Sequence, residues 1–456
     1  MDTEMFEGLR TGLAGLSPVR AVGRVTTVDG TVAWVSGLAS QTAIGDRLRL
    51  LKRSGQSTEG EAVRIRDRLV AMLPDSGLEG VSLDDRVAVL GALPLRPAPG
   101  WIGRVIDPFG RPLDGQPLLP GATAAPLRAA PPPAAQRQPM GPRQTTGLNV
   151  FDTLLPIARG QRVGLFAGSG VGKSRLLADL ARQMEADVAV LALVGERGRE
   201  LRDFIERGLG PDGMARSVVV TATSDRSPLE RRRCLHAAMS VAERFRDSGQ
   251  HVLFLADSVT RFAEAHREVA VAAGELPALR GYPASVTHEI MALCERAGPG
   301  LAGAGDITAV FSVLVAGSDM DEPIADILRG VLDGHVVLER AIAERGRFPA
   351  VDLLRSVSRS LPEAATAEEN ALISQVRLLL GAYERSETMI RAGLYRRGSD
   401  PLVDQAMGVW PELDSFLAGR TPDGAKAAFD KLRVILRRHA ARPTQTGAAG
   451  HRAASG

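Results

Sequence analysis

The sequence is poor in cysteine and in aromatic side chains. Two cysteines, Cys234 and Cys294, occur in 456 residues, with no C-x-x-C pair and no metal-ligand spacing. That excludes a disulfide framework and leaves two inert thiols suited to a reducing compartment. Between Val19 and Ala98 the only aromatic is Trp34, whereas a surface that stacks nucleic-acid bases needs several. Formal net charge is +3, too mild to call for a nucleic-acid partner. No apolar run approaches the ~18–20 residues that span a bilayer, and no basic-then-apolar start suggests a secretion signal. The expectation is a cytoplasmic protein with no nucleic acid bound. At 44% hydrophobic and 24% charged residues, the chain is long enough for two or three domains with buried cores.

Along the chain the periodicity changes several times. Phe6, Leu9, Leu13 and Leu16 are spaced by three and four, which predicts a short helix over 1–18 that contacts a partner or a neighbouring copy, or packs on its own barrel. From residue 19 to 98 short alternating runs are punctuated by Gly and Asp, and Asp29-Gly30 reads as a hairpin turn. A small β-barrel is expected there. The turn-rich "GRVIDPFGRPLDG" leads into a Pro/Ala stretch of extended character. Residues 99–360 then alternate strands and helices. "RVGLFAG", "DVAVLALVG", "SVVVTAT", "HVLFLADS" and "DITAVFSVLVAG" read as strands buried on both faces. From 361 to 438 the pattern is helical, with Leu372, Ile373, Val376, Leu379, Leu380 and Tyr383 on one stripe. A last helix is expected to start at Thr421-Pro422-Asp423, followed by a disordered tail over 439–456.

"FAGSGVGKSRL" carries Gly168, Ser169, Gly170, Val171, Gly172, Lys173, Ser174 and Arg175 between a strand and a helix. Backbone N–H groups and the positive end of the helix can hold phosphate oxygens. Glycines let the backbone approach closely, Lys173 offers charge to the outer phosphates, and the Ser174 hydroxyl suits Mg²⁺. Ala167 stands where the usual pattern begins with Gly, and Ala fits if its φ is negative. "HVLFLADS" delivers Asp257 near a strand end, placed for Mg²⁺. Glu196 lies just past another strand. It could orient or deprotonate water, or it could belong to a surface cluster with Arg197, Arg199 and Glu200. Phe348 could pack internally or stack on adenine. Arg359 could be a surface residue or reach a neighbour's γ-phosphate.

Six motifs in order resolve these alternatives by resemblance. "GLFAGSGVGKS", "VGERGRE", "DSVTRFAEAHREVA", "GELPALRGYPASV", "DEPIADILRGVLDGHVVLER" and "PAVDLLRSVSR" resemble the hexameric ATPases related to rotary ATPases. Within that group the chain is most similar to the export ATPases of the bacterial flagellum and of type III secretion. Pro349 to Ser358 fits the α/β-subunit signature P-[SAP]-[LIV]-[DNH]-x-x-x-S-x-S. The resemblance implies an α/β fold, with a RecA-like P-loop ATPase core, an N-terminal β-barrel and a C-terminal helical domain. It implies ATP and Mg²⁺ as cofactors, and hydrolysis in a homohexameric ring that energises protein export. Lys173 resembles the phosphate-binding lysine, Ser174 and Asp257 the Mg²⁺ residues, and Glu196 the residue acting on water. Arg197 and Arg261 fall near the γ-phosphate, Phe348 at the adenine, and Arg359 in the next subunit's site.

Export substrates, their chaperones and a regulatory or stator protein reached through the N-terminus are the implied partners. Peripheral association with the membrane export gate is implied as well. Three segments depart from the family pattern: "TGLNVFDTLL", "SVTHEIMALCERAG" with His288 and Glu289, and Arg175 where Thr is common. None removes a reacting group. The competing readings are a virulence secretion (injectisome) ATPase and a rotary ATPase catalytic subunit. The rotary subunit would carry an acidic run that residues 360–440 lack.

Overall fold

The computed structural model describes Arg10, residues 19–315 and residues 320–439. The expected stripe of Phe6, Leu9, Leu13 and Leu16, and the tail from residue 440, lie outside the described residues. Six strands close into an antiparallel barrel in the order β1-β2-β5-β4-β3-β6. They are β1 (Val22–Asp29), β2 (Val32–Ser36), β3 (Arg47–Leu51), β4 (Ser57–Arg66), β5 (Leu69–Pro74) and β6 (Arg86–Gly91). Alternation turns one residue in two inward, so Val35, Leu48, Leu50, Val70, Met72 and Val87 fill the interior. Gly30 takes a φ of 57° in the β1–β2 turn, the left-handed conformation that the Asp-Gly pair signals. The barrel sits on the rest of the chain through Val32, Val63, Ala71 and Leu73, packed against Leu229 and Val269. Arg232 pairs with Glu61 across that seam.

The second sheet has the order β14-β13-β8-β12-β11-β9-β10-β7. Its strands are β7 (Val105–Ile106), β8 (Arg162–Ala167), β9 (Val188–Val194), β10 (Ser217–Ala222), β11 (Val252–Asp257), β12 (Ile307–Leu314), β13 (Gly334–Leu338) and β14 (Val351–Ser358). All neighbours pair in parallel except β13 with β14. Every residue of β9, β10 and β11 is buried, which explains why they read as continuous apolar runs. One face is covered by α1 (Lys173–Gln183) and the C-terminal helices, the other by α4 (Pro228–Asp247), α5 (Val259–Ala272), α6 (Ser285–Arg296) and α7 (Pro323–Val331). Between β9 and β10 lie the short helices α2 (Gly198–Asp203) and α3 (Gly210–Met214), and α8 (Arg340–Glu344) precedes β14. Cys234 and Cys294 are buried free thiols among this apolar packing.

Three helices complete the described residues: α9 (Ala367–Arg391), α10 (Pro401–Ala418) and α11 (Gly424–Arg438). Thr366 and Glu369 form a reciprocal capping box at the start of α9. Ile373, Val376 and Leu379 of the expected stripe are buried with Val403, Val409 and Leu413. The last helix starts at Gly424, later than its Thr-Pro-Asp signal suggested. Thr421 does not cap it; its hydroxyl donates to Asn149 Oδ1 at 2.6 Å and accepts from Lys431. Asn149 also donates to the Phe416 carbonyl at 3.0 Å. The departure seen in "TGLNVFDTLL" is thereby a buried latch between the sheet domain and the C-terminal helices. Among the described residues, no helix is long and apolar enough to cross a membrane.

Candidate nucleotide site

Strand register aligns the carboxyl ends of the central strands. Ala167 lies opposite Leu314, Ala256 opposite Phe311, and Asp257 opposite Leu193. The residues that follow β8, β9 and β11 therefore emerge along one edge, where open parallel sheets place their chemistry. Ala167 ends β8 fully buried, and it is not among the residues with positive φ. The alanine fits its strand position.

Gly172 is the left-handed N-cap of α1, with φ 87°. A Cβ on it would stand 3.0 Å from Cδ1 of Phe348, so the phenyl ring lies directly against the loop's last glycine. The N-terminus of α1 points its positive end here, with Ser174 and Arg175 exposed on the first turn. Lys173 is 9% exposed and pairs through Nζ with Asp257 Oδ1, itself 2% exposed. Ser312 on β12 donates its hydroxyl to the same Oδ1 at 2.7 Å. The buried ammonium is neutralised by this carboxylate. Ser174 and Asp257 are hard oxygen donors flanking one lysine, a set that suits Mg²⁺. Among the described residues no three His, Cys, Asp or Glu side chains cluster as a metal cage. A divalent ion here would share its coordination with phosphate and water.

Glu196 follows the Gly195 turn. Gly195 donates to the Ala222 carbonyl at 2.7 Å, and Ser224 donates to the Glu196 carbonyl at 3.0 Å, pinning the segment to the end of β10. The Glu196 side chain is half-buried. Burial, a hydrogen bond to Glu200 and the charge of Asp257 push its pKa up to about 7, against the opposing pull of Lys173. A carboxylate titrating near neutrality can take a proton from water and release it again.

Arg261 sits in the first turn of α5, capped by the Ser258 hydroxyl, where a cation runs against the helix dipole. Its stem lies along Gly195, 3.4 Å from where a Cβ would be, and its guanidinium bonds Glu264 at 3.0 Å. It shares a cleft with Gly168, Ser169 and Val171. Arg197 instead faces solvent, with its nearest carboxylate, Glu200, 4.0 Å away.

Arg359 is on the opposite edge. Its amide donates to Asp333 O, and the Asp333 amide donates to Arg162 O at the start of β8. It is thus level with Arg162, and the six-residue strand β8 puts about 17 Å between that level and the phosphate loop. The fold brings Gly168–Arg175, Asp257, Glu196, Arg261 and Phe348 together, and leaves Arg359 apart. The sequence suggested no role in the site for two polar groups at this edge. Glu200, read only as part of a surface cluster, lies four residues beyond Glu196, and Ser312 is a hydroxyl in a buried strand that needs a partner.

These features are those of a nucleotide-binding domain of the ATP synthase alpha/beta family, whose family model matches residues 147–358. The model of the T3SS EscN ATPase C-terminal domain matches residues 365–432. The flagellum-specific ATP synthase of Caulobacter vibrioides is 44% identical, over 88% of this chain and 92% of its own length. The type 3 secretion system ATPase of Xanthomonas euvesicatoria is 42% identical, over 94% of this chain and 96% of its own. The assembled ATPase EscN of enteropathogenic E. coli superposes with a TM-score of 0.83 at 34% identity, covering 91% of this chain and all of that one. EscN has also been solved in complex with its central stalk EscO, with a TM-score of 0.80 at 34% identity over 91% of this chain and all of that one. The chain belongs to the family of flagellum-specific and type III secretion ATPases, and it is an ATPase.

Proposed function

We propose that this ATPase energises export of flagellar proteins as a homohexameric ring, with each ATP held between two copies of the chain. The observation supporting a site shared between copies is the position of Arg359, exposed and about 17 Å of strand away from its own phosphate loop. A heterologous contact between identical chains can carry that guanidinium to the next copy's loop and close into a ring.

In this reading Lys173 leaves Asp257 for the outer phosphates, helped by the loop of Gly168, Ser169, Gly170, Val171 and Gly172 and by Arg175. Ser174 and Asp257 would hold Mg²⁺, which would supply charge neutralisation at the phosphates. Phe348 stacks on adenine. Glu196 takes a proton from water as the water oxygen attacks the γ-phosphorus and the bond to the bridging oxygen breaks, releasing ADP. Arg197 and Arg261, with the neighbour's Arg359, offset the charge that builds on the transferred group.

In this reading the protein works in the cytoplasm, at the periphery of the membrane export gate. Export substrates, their chaperones and a regulatory stalk or stator protein are its partners. The flagellar assignment follows the flagellum-specific relatives, whereas the Xanthomonas and EscN relatives favour an injectisome. Restoration of motility, as against effector secretion, in the corresponding deletion strains separates the two. The experiment on the shared site is Arg359→Ala, which should bind ATP normally yet lose turnover. Full turnover by that variant would refute the reading.

A further inference from the structure

Phe348 is carried on the irregular segment between α8 and β14, whose other side is fastened to the C-terminal helices. Arg347 is 7% exposed, and its Nη2 donates to the Val351 carbonyl at 2.7 Å, bracing the turn that contains Phe348 and Pro349. Its Nε lies 3.3 Å from Asp414 Oδ1 on α10. A buried guanidinium without a countercharge is costly, so Asp414 is needed where it stands. Arg345 extends the attachment. Its guanidinium lies 5.5 Å from the Trp410 ring centre and 3.8 Å from Glu387 on α9, and Trp410 stacks on Tyr383 at 4.8 Å. On its other side, the Phe348 ring rests against Gly172. Contacts therefore run unbroken from the phosphate loop through Phe348 and Arg347 to α10.

We propose that Arg347 and Asp414 are positioning residues for the nucleotide. Their ion pair fixes the pose of Phe348 over the phosphate loop, so the setting of α10 governs how firmly the adenine is held. This rests on the reading of Phe348 as the base-stacking residue. Backbone bonds hold the ends of that segment, where the Gly346 and Arg347 amides donate to Ala343 and Ile342 of α8 and Glu339 donates to the Ala350 carbonyl; between them, the side-chain ties of Arg347 brace Phe348. The C-terminal helices and the nucleotide are thereby coupled through the buried Arg347 and its half-buried partner Asp414.

The test uses the full chain with Mg-ATP. Arg347→Ala strips a buried network and risks misfolding, so Asp414→Asn, isosteric and uncharged, is the working variant. It should raise the KM for ATP about three- to tenfold and leave kcat within about twofold, with Asp414→Glu recovering part of the loss. Phe348→Ala should raise KM at least as much, and adding Asp414→Asn to it should cost nothing further. An unchanged KM in Asp414→Asn, while Phe348→Ala raises it, would overturn the positioning role and leave stacking intact. Full additivity of the two substitutions would overturn it as well, because the pair would then act elsewhere. An unchanged KM in Phe348→Ala would remove the base contact itself, and this inference with it.

Discussion

The protonation of Glu196 gives the sharpest chemical prediction. Its pKa is held near 7 by burial, by hydrogen bonding to Glu200 and by the nearby charge of Asp257. A base whose pKa is raised keeps its proton to higher pH, so the active carboxylate disappears as pH falls through about 7. At pH 6 roughly a tenth of the free enzyme carries Glu196 ionised, and kcat/KM should have fallen about tenfold from its pH 8 value. Glu200→Gln removes the like charge from the hydrogen-bonded partner. A downward shift of about one unit leaves roughly half of Glu196 ionised at pH 6, about five times the wild-type fraction. The assay is steady-state hydrolysis from pH 5.5 to 8.5, reading the ratio of variant to wild type so that titration of the nucleotide cancels. A ratio that stays flat across that range would refute Glu196 as the titrating base.

Further perturbations probe neighbouring parts of the account. Glu196→Gln should lower kcat by about two to four orders of magnitude while ATP still binds, as equilibrium dialysis would show. Because the Glu196 pKa is raised from 4.5 on folding, the stability it contributes is present below pH 4.5 and lost as pH rises through about 7. Melting curves should therefore show Glu196→Gln gaining more over wild type at pH 8.5 than at pH 5. Gly172→Ala demands a left-handed alanine pressed on the Phe348 ring. It should cost about 1–2 kcal/mol and weaken ADP binding, both read from thermal melts with and without ADP. Arg296 and Glu243, 3% and 5% exposed, pair at 2.9 and 2.6 Å. Arg296→Met strands a buried carboxylate and should lose about 3–5 kcal/mol in urea unfolding.

The sequence made visible those parts of the site that depend on local order. Lys173 and Ser174 follow the loop after β8, Asp257 ends β11 and Glu196 stands just past β9, and the strand register brings them to one edge. The buried strands were legible because both of their faces are covered. β14 was not seen as a strand. Its exposure alternates irregularly, and it pairs antiparallel with β13 through a register shift, so neither period stands out. Contacts between distant segments left no local trace. The Arg347–Asp414 pair, the Ser312–Asp257 bond and the Asn149 latch each join residues far apart in the chain. The start of α11 was misjudged for the same reason, since the hydroxyl expected to cap it is bonded to Asn149. That Arg359 lies remote from its own phosphate loop became apparent only with the topology.

The most direct measurement mixes two inactive proteins, Glu196→Gln and Arg359→Ala, in equal amounts under conditions that let subunits exchange. Each supplies what the other lacks, and random assembly creates an intact interface at about one contact in four. The account predicts recovery of roughly a quarter of wild-type turnover. A mixture that remains as inactive as its separate components would contradict a site shared between chains.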